Sequence, residues 1–211
     1  MKRIEFIERH VRQIYGGFPT DDAQITDNLV NSWLSDATAY AAKMCYNESV
    51  KLDGVAYMNN SFYSTFSDLA ITSDSNINLG YQLTLPEIPP GVGRNEGIST
   101  LQFKDDSGFV SLPVVWLTMN QVAYADSMPP IPNKILAWSE GKKLKMKSVL
   151  PLWDYTGVIR MISAGDRADL DSELNVPQDY FPLMVEYIQK QLMIMKGIRQ
   201  DTNNEGNDTK L

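Results

Sequence analysis

NVPQDYFPLMVEYIQKQLMIMKGI, residues 175–198, is the stretch around which the rest of the chain is organised. Its apolar residues recur at three- or four-residue steps, the spacing of one helix face; they are Phe181, Val185, Ile188, Leu192 and Met195. Pro177 suits the first turn of this helix, because its missing N–H would have had no partner there. Pro182 lies deeper, where a proline crowds the preceding turn, so we expect a kinked or two-step start. The stretch predicts a closing helix that docks through one face and stops near Gly197.

Two further helices are predicted at the other end of the chain. The opening MKRIEFIERHVRQIY has Ile4, Ile7, Val11 and Ile14 on one stripe and most of its charges elsewhere, and Gly16 and Gly17 follow it. A longer helix then begins at Thr20 or Thr26, both suitable caps. Its predicted apolar face is Ile25, Leu29, Trp33, Ala37, Tyr40 and Met44. A short turn between two helices predicts a helical hairpin.

From residue 52 the sequence becomes rich in β-branched and aromatic residues interrupted by Gly, Pro, Asn and Asp, which favours strands. Predicted strands cover 62–72, 77–85, 97–103, 109–114 and 156–163, and a hairpin over 134–148 turns at Glu140-Gly141. Residues 85–97, LPEIPPGVGRNEG, form a loop that the prolines hold extended. Residues 115–128 fit either a short helix or an extended segment.

These elements predict an α+β fold, because the strands are grouped together and do not alternate with helices. The helical hairpin spans 1–51, a mostly antiparallel β region 52–165, an acidic connector with the C-terminal helix 166–199, and a flexible tail 200–211. We expect the terminal helices to cover one side of the sheet within one compact domain.

The composition is that of an ordinary globular chain, with 43% hydrophobic and 21% charged residues. No apolar run is long enough for a membrane span or a signal peptide, so we expect a chain kept in a cytoplasm. The net charge of −7 argues against a nucleic-acid-binding surface over the whole molecule. Residues 130–160 differ from this acidic average, because they contain six basic side chains and only two acidic ones, a local charge of +4.

Residues able to carry catalysis are sparse. His10, the single histidine, is expected on a solvated helix face, and Cys45, the single cysteine, in the core. Gly91, Gly93 and Gly97 miss the dinucleotide-binding spacing by one residue. The run Asp166, Asp169, Asp171 and Glu173 lacks the central glycine of a calcium loop and suits an acidic lead-in to a helix. We therefore predict no enzyme activity, no cofactor and no metal.

The lysine run in KKLKMK, residues 142–147, is the most distinctive charged feature. In a strand, Lys143, Lys145 and Lys147 share one face while Leu144 and Met146 point to the core. Such a face is either solvated, as at a guarded sheet edge, or it meets phosphates or an acidic neighbouring subunit.

Three stretches resemble virion structural proteins of short-tailed, crAss-like bacteriophages of gut Bacteroidetes. They are IYGGFPTDDAQIT (14–26) ahead of the helix with Trp33 and Tyr40, YQLTLPEIPPGVGRNEGIS (81–99), and NVPQDYFPLMVEYIQKQLMIMKGIRQDTNNEGND (175–208). The resemblance spans most of the chain in this order. It implies a ring-forming head-to-tail connector or tail protein, similar in role to the adaptor of other short-tailed phages.

The resemblance further implies a homo-oligomeric ring, commonly a dodecamer, located in the virion after assembly in the host cytoplasm. Its partners would be the portal protein, neighbouring tail ring proteins and the genomic DNA that passes through during ejection, without sequence-specific binding and without a membrane. Function would then lie in surfaces. The expected interaction residues are Lys142, Lys143, Lys145, Lys147, Pro89, Pro90, Arg94, Arg199 and Asp201.

Two alternatives belong to other classes of function. One is a virion-associated cell-wall hydrolase that uses a pair of carboxylates, since such pairs form in space and leave no sequence spacing. The other is a host-binding module, in which exposed Trp116, Trp138 or Trp153 would have to form a platform for a protein or glycan.

Overall fold

The computed structural model describes residues 1–12, 26–55, 57–92, 97–125, 127–165 and 169–204, and only the backbone of residues 119 and 196–204. The fold is α+β, as predicted, with four α-helices and one eight-stranded sheet in the described part. The helices are α1 (Arg3–Phe6), α2 (Asp27–Asp53), α3 (Met119–Val122) and α4 (Phe181–Asn204). The strands are β1 (Tyr63–Asp74), β2 (Gly80–Thr84), β3 (Ile98–Asp105), β4 (Gly108–Val110), β5 (Val114–Trp116), β6 (Ile135–Glu140), β7 (Lys143–Lys147) and β8 (Thr156–Ile162).

The chain divides into two compact units. The helical unit comprises Met1–Phe62 and Ala164–Leu211, and the sheet unit comprises Tyr63–Ser163. The finer partition and the single compact domain expected from the sequence stay predictions. Of the predicted flexible tail, residues 205–211 lie outside the described part of the chain.

In the helical unit, α2 begins after Thr26, the second of the two caps that the sequence offers. Thr26 is its N-cap, and the Thr26 hydroxyl oxygen accepts a hydrogen bond from the Leu29 amide at 3.2 Å. The predicted apolar face is confirmed at Ala37 but is otherwise wrong by about one residue, since Leu29, Trp33, Tyr40 and Met44 are only half-buried. Ile25 lies outside the described residues. The buried face consists of Val30, Leu34, Ala37, Ala41, Ala42 and Cys45. Its small side chains let α4 pack closely, whereas the bulky aromatic side chains lie at the margin of that contact.

α4 has the predicted two-step start, a 3₁₀ turn over Gln178–Tyr180 followed by α-helix from Phe181. Phe181, Ile188 and Leu192 are buried as predicted, and Met184 joins them. The predicted end is wrong, because the helix continues through Gly197 to Asn204. Glycine inside a helix destabilises it by only about 1 kcal/mol relative to alanine. Glycine ends a helix only where its backbone adopts the left-handed conformation, so its presence in the sequence does not by itself predict a helix end.

The first predicted helix is not a uniform α-helix. α1 passes at Ile7 into a π-helical segment, Ile7–Val11, and residues 13–15 lie outside the described part of the chain. Phe6, Ile7 and Val11 are fully buried. The rings of Phe6 and Phe181 meet edge to face with centroids 5.3 Å apart, which fixes this segment on the start of α4.

The sheet unit contains all eight strands in the order β4-β3-β8-β1-β2-β7-β6-β5. All neighbours are antiparallel except β5 and β6. The predicted strand over 109–114 is two strands, β4 and β5, with Pro113 between them. These two strands form opposite edges of the sheet although three residues separate them, so the sheet must curl back on itself.

The curled sheet encloses the core of its unit. Inward side chains from seven of the strands form one cluster, in which Phe103, Leu144, Met146, Ile159 and Met161 have no exposed surface. A second cluster lies on the other face of β6, where Leu136 and Trp138 pack with Leu117 and Ala125 from the segment that carries α3. This second cluster decides which lysines of β7 reach solvent.

Candidate interaction surface

The β6–β7 hairpin ends in a tight turn that carries two of the predicted lysines. The strands pair from Leu136↔Lys147 to Glu140↔Lys143, which leaves Gly141 and Lys142 as a two-residue turn, one position later than predicted. Gly141 has φ of +60°, which the first position of a type II′ turn requires and glycine adopts without strain. The side chains of Lys142 and Lys143 are exposed. The turn therefore projects two cations on a fixed backbone.

The turn is anchored to the start of the proline-rich loop. The Leu85 amide donates a hydrogen bond of 2.7 Å to the Lys142 carbonyl oxygen. Leu85 itself is buried, and Ile88, three residues further, is 63% exposed. We call residues 85–92 and 140–143 the tip surface, because they lie together at one end of the sheet. It combines two exposed lysines with apolar and proline side chains and with two glutamates, Glu87 and Glu140, of which Glu140 pairs with Lys145.

Pro89 and Pro90 line a cavity of about 70 Å³ together with Gly97, Ile98, Trp116 and Ser139. Gly97 and Ile98 lie at the start of β3, whereas Trp116 and Ser139 belong to β5 and β6, so the prolines cover the seam between the two sides of the curled sheet. A side chain at Gly97 would clash with the carbonyl oxygen of Pro90. The loop is thus held against the sheet by close backbone packing.

The lysine strand does not form the continuous solvated face or guarded edge expected from the sequence. β7 lies inside the sheet, between β2 and β6. The Lys145 ammonium pairs with the Glu140 carboxylate at 2.6 Å. Lys147 is only 3% exposed and donates a hydrogen bond of 3.2 Å to the Ala125 carbonyl oxygen. The alternation itself is confirmed, since Leu144 and Met146 are buried on the core face.

Three predicted interaction residues lie wholly or partly outside the described part of the chain. Arg94 lies outside the described residues. Arg199 and Asp201 belong to the last turns of α4, and their side chains lie outside the described part. The structure therefore brings Pro89, Pro90, Lys142 and Lys143 to one end of the sheet unit and separates Lys147 from them.

The helical unit holds a polar cluster that the sequence did not single out. The Tyr180 hydroxyl lies 3.4 Å from the Glu48 carboxylate, and the Tyr180 ring meets Phe62 edge to face. Burial raises the pKa of Tyr180 above its ordinary value, and hydrogen bonding to the buried Cys45 thiol adds to the shift. A phenol with its ordinary pKa is already protonated at neutral pH, and this shift moves its ionisation further from neutrality, so the Tyr180 hydroxyl is a hydrogen-bond donor to Glu48 there.

The sequence predicts His10 on a solvated helix face, and this prediction is wrong. His10 is half-buried in the π-helical segment. Its ring centroid lies 5.2 Å from that of Phe6 and 5.9 Å from that of Phe181.

Cys45 is in the core, as predicted. In the acidic run, Asp169 accepts the Asp171 amide at 2.9 Å and Asp171 pairs with Lys2 at 3.0 Å, while Asp166 lies outside the described residues. Within the described ranges, no three His, Cys, Asp or Glu side chains are grouped closely enough to hold a metal ion.

The three tryptophans of the proposed platform have different environments. Trp138 is buried, Trp116 is half-buried at the seam, and Trp153 is 61% exposed with its ring against Tyr81. Sequence reasoning missed the contribution of Ile88, Trp116 and Ser139 to the seam and the tip surface. Only Ile88 carried a signal, an apolar residue inside a proline-rich loop.

Comparison of the chain with protein-family models and with curated protein sequences found no match. No helix in the described part of the chain is both long and apolar enough to cross a membrane.

Proposed function

We propose that this chain is a non-enzymatic virion protein that assembles into a ring of the phage head-to-tail connector or tail. In this role the ring joins the portal protein to the neighbouring tail ring proteins and surrounds the channel through which DNA passes. The resemblance of residues 14–26, 81–99 and 175–208 to virion proteins of crAss-like phages supports this role. The observation that carries it furthest is the tip surface, because a ring subunit needs a fixed contact surface that its own fold leaves open.

The distribution of charge supports a contact between unlike surfaces of two copies. The helical unit has 11 Lys and Arg against 17 Asp and Glu, a net charge of −6, whereas the sheet unit has 8 against 9, a net charge of −1. Lys142 and Lys143 project from the less acidic unit. An acidic helical unit on a neighbouring copy is complementary to these cations, and complementary potentials favour one orientation of docking.

A contact between two different surfaces is heterologous, and repeated heterologous contacts close into a ring when the rotation between copies allows it. The acidic balance of the chain also suits a channel wall. Like charges on the wall and on the phosphates oppose the contacts that would hold a duplex in place. DNA would thus pass without being gripped.

Reversing one exposed charge of the tip surface tests this proposal. We expect Lys142→Glu to weaken self-association roughly ten-fold, because replacing attraction by repulsion at a surface contact changes its free energy by about 1–2 kcal/mol. Sedimentation velocity over a concentration series measures the shift. Lys134→Glu is the matched control. Lys134 is also exposed, but it lies just before the first residue of β6, at the end of the strand away from the tip surface.

Self-association of the wild type should also weaken as salt rises from 50 to 500 mM, because salt screens exposed charges. Equal effects of Lys142→Glu and Lys134→Glu, or association that strengthens with salt, would contradict the assigned contact. A wild-type chain that stays monomeric at every concentration, alone and with portal protein, would contradict the ring itself.

A further inference from the structure

We infer that the sheet unit is an inserted module that folds and unfolds independently of the helical unit. The chain enters it at Phe62–Tyr63 and leaves it at Ser163–Ala164. Tyr63 and Ile162 are paired residues of β1 and β8, so the two ends of the insert lie about 5 Å apart. Adjacent ends are what domain insertion requires, because the host then needs no rearrangement to accept the inserted segment.

The sheet unit contains what an independent module needs. Each of its strands is hydrogen-bonded to its neighbours in a single sheet. All side chains of its main hydrophobic cluster come from residues 66–161. The largest fully buried side chains of this cluster include Phe103, Leu144 and Met146. The module therefore has a core of its own.

Backbone hydrogen bonds join the first described residues of the helical unit to its second segment. The Arg3 amide donates to the Ser172 carbonyl at 3.0 Å, the Ile4 amide to the Leu170 carbonyl at 2.9 Å, and the Leu174 amide to the Met1 carbonyl at 2.9 Å. These bonds join the first residues of the chain to residues that follow the inserted sheet. Both halves of the helical unit are thus held together by contacts within that unit.

The Arg3 side chain completes this closure. It is fully buried, and its guanidinium donates to the Asn31 side-chain oxygen at 2.8 Å, the Ala164 carbonyl at 2.7 Å and the Gly165 carbonyl at 3.2 Å. Asn31 lies on α2, while Ala164 and Gly165 are the first residues after the sheet unit. The guanidinium therefore fixes the returning chain onto α2, and Arg3 is a positioning residue of the helical unit.

Independence of folding has a consequence for assembly. The tip surface belongs to the sheet unit, so its geometry is preserved whether or not the helical unit is intact. Contacts made by each unit can then form in separate steps. This inference goes beyond the proposed ring, because it concerns the folding of a single chain.

Hydrogen exchange of the full chain, read by mass spectrometry, tests the inference. Phe103→Leu removes packing from the core of the sheet unit, and Arg3→Lys removes the forked donor from the helical unit. We expect each variant to accelerate the slowest amides of its own unit at least ten-fold and those of the other unit less than two-fold. Acceleration of both units by either variant, or loss of the whole fold, would overturn the inference.

A second measurement needs no substitution. In wild-type protein, exchange over a series of urea concentrations gives an unfolding free energy for the slowest amides of each unit. Two distinct unfolding free energies with distinct urea dependences support independent units. A single common isotherm for both units would show one cooperative domain and refute the inference. Either result leaves the ring assembly untouched, since exchange is measured on the dissociated chain.

Discussion

At the scale of single residues, the structure shows polar side chains placed where apolar periodicity alone does not put them. Arg3, at a charged position of the first helix, is fully buried, and so is nearly all of Lys147. Each is accommodated by carbonyl oxygens from segments distant in sequence, residues 164–165 for Arg3 and Ala125 for Lys147. Burying a cation is unfavourable unless its hydrogen bonds are satisfied, and the satisfying groups become visible only in the folded chain.

Tyr180 gives a pH-dependent prediction at this scale. Its pKa is raised in the folded state, so above about pH 10 the unfolded chain loses a proton that the folded chain keeps. Stability therefore falls as pH rises, because the folded state binds more protons there than the unfolded state. We expect Tyr180→Phe to reduce this fall by about 0.5–1 kcal/mol per pH unit, less than the full linkage value, since solvent screens a partly buried group.

The measurement is urea unfolding of wild type and Tyr180→Phe at pH 8, 10 and 11. Tyr124→Phe serves as the control, because the Tyr124 side chain is 67% exposed. Identical pH dependence of wild type and Tyr180→Phe would show that the contacts of Tyr180 with Cys45 and Glu48 do not shift its ionisation.

At the scale of elements, the proline-rich loop makes a prediction about stability. Gly97 has no room for a side chain beside the Pro90 carbonyl, whereas a side chain at Gly91 would meet nothing. We expect Gly97→Ala to destabilise the sheet unit by about 1–3 kcal/mol, the usual range for overpacking. Gly91→Ala should change stability by less than about 0.5 kcal/mol or raise it slightly, since alanine restricts the unfolded chain.

Thermal unfolding of the two alanine variants beside wild type measures both effects. A destabilisation of equal size at Gly91 and Gly97 would mean that the loop is not held against β3 in the way described.

The elements were predictable to the extent that their signals are local. Gly141 supplies a turn geometry that few other residues adopt, so the hairpin turn could be predicted within a residue. Thr26 caps α2 through its own side chain, but Thr20 offered the same local signal, so the sequence narrowed this boundary to two positions. The buried face of α2 could be predicted only at Ala37, because Trp33 and Tyr40 dominate the apolar pattern while the small side chains of Ala41 and Ala42 are the buried ones. Which face packs depends on the shape of α4, and a periodicity count does not contain that shape.

At the scale of the whole molecule, the sequence predicted the α+β class but not the path of the sheet. The class follows from the grouping of strands between helical segments. The order β4-β3-β8-β1-β2-β7-β6-β5 joins residues far apart in sequence, such as β3 with β8 and β2 with β7. Pairing at this distance leaves no local signal, and the tip surface was therefore predicted only as separate residues, Pro89 and Pro90 in one place and the lysines in another.

The proposal that this chain is a ring-forming virion protein also concerns the whole molecule. The most direct test is the mass of the purified wild-type chain in solution by mass photometry, alone and mixed with the portal protein encoded by the same genome. We predict a closed oligomer of defined copy number, or a monomer of 23.8 kDa that joins a large complex when portal protein is added. A monomer unchanged at every concentration and indifferent to portal protein would contradict it.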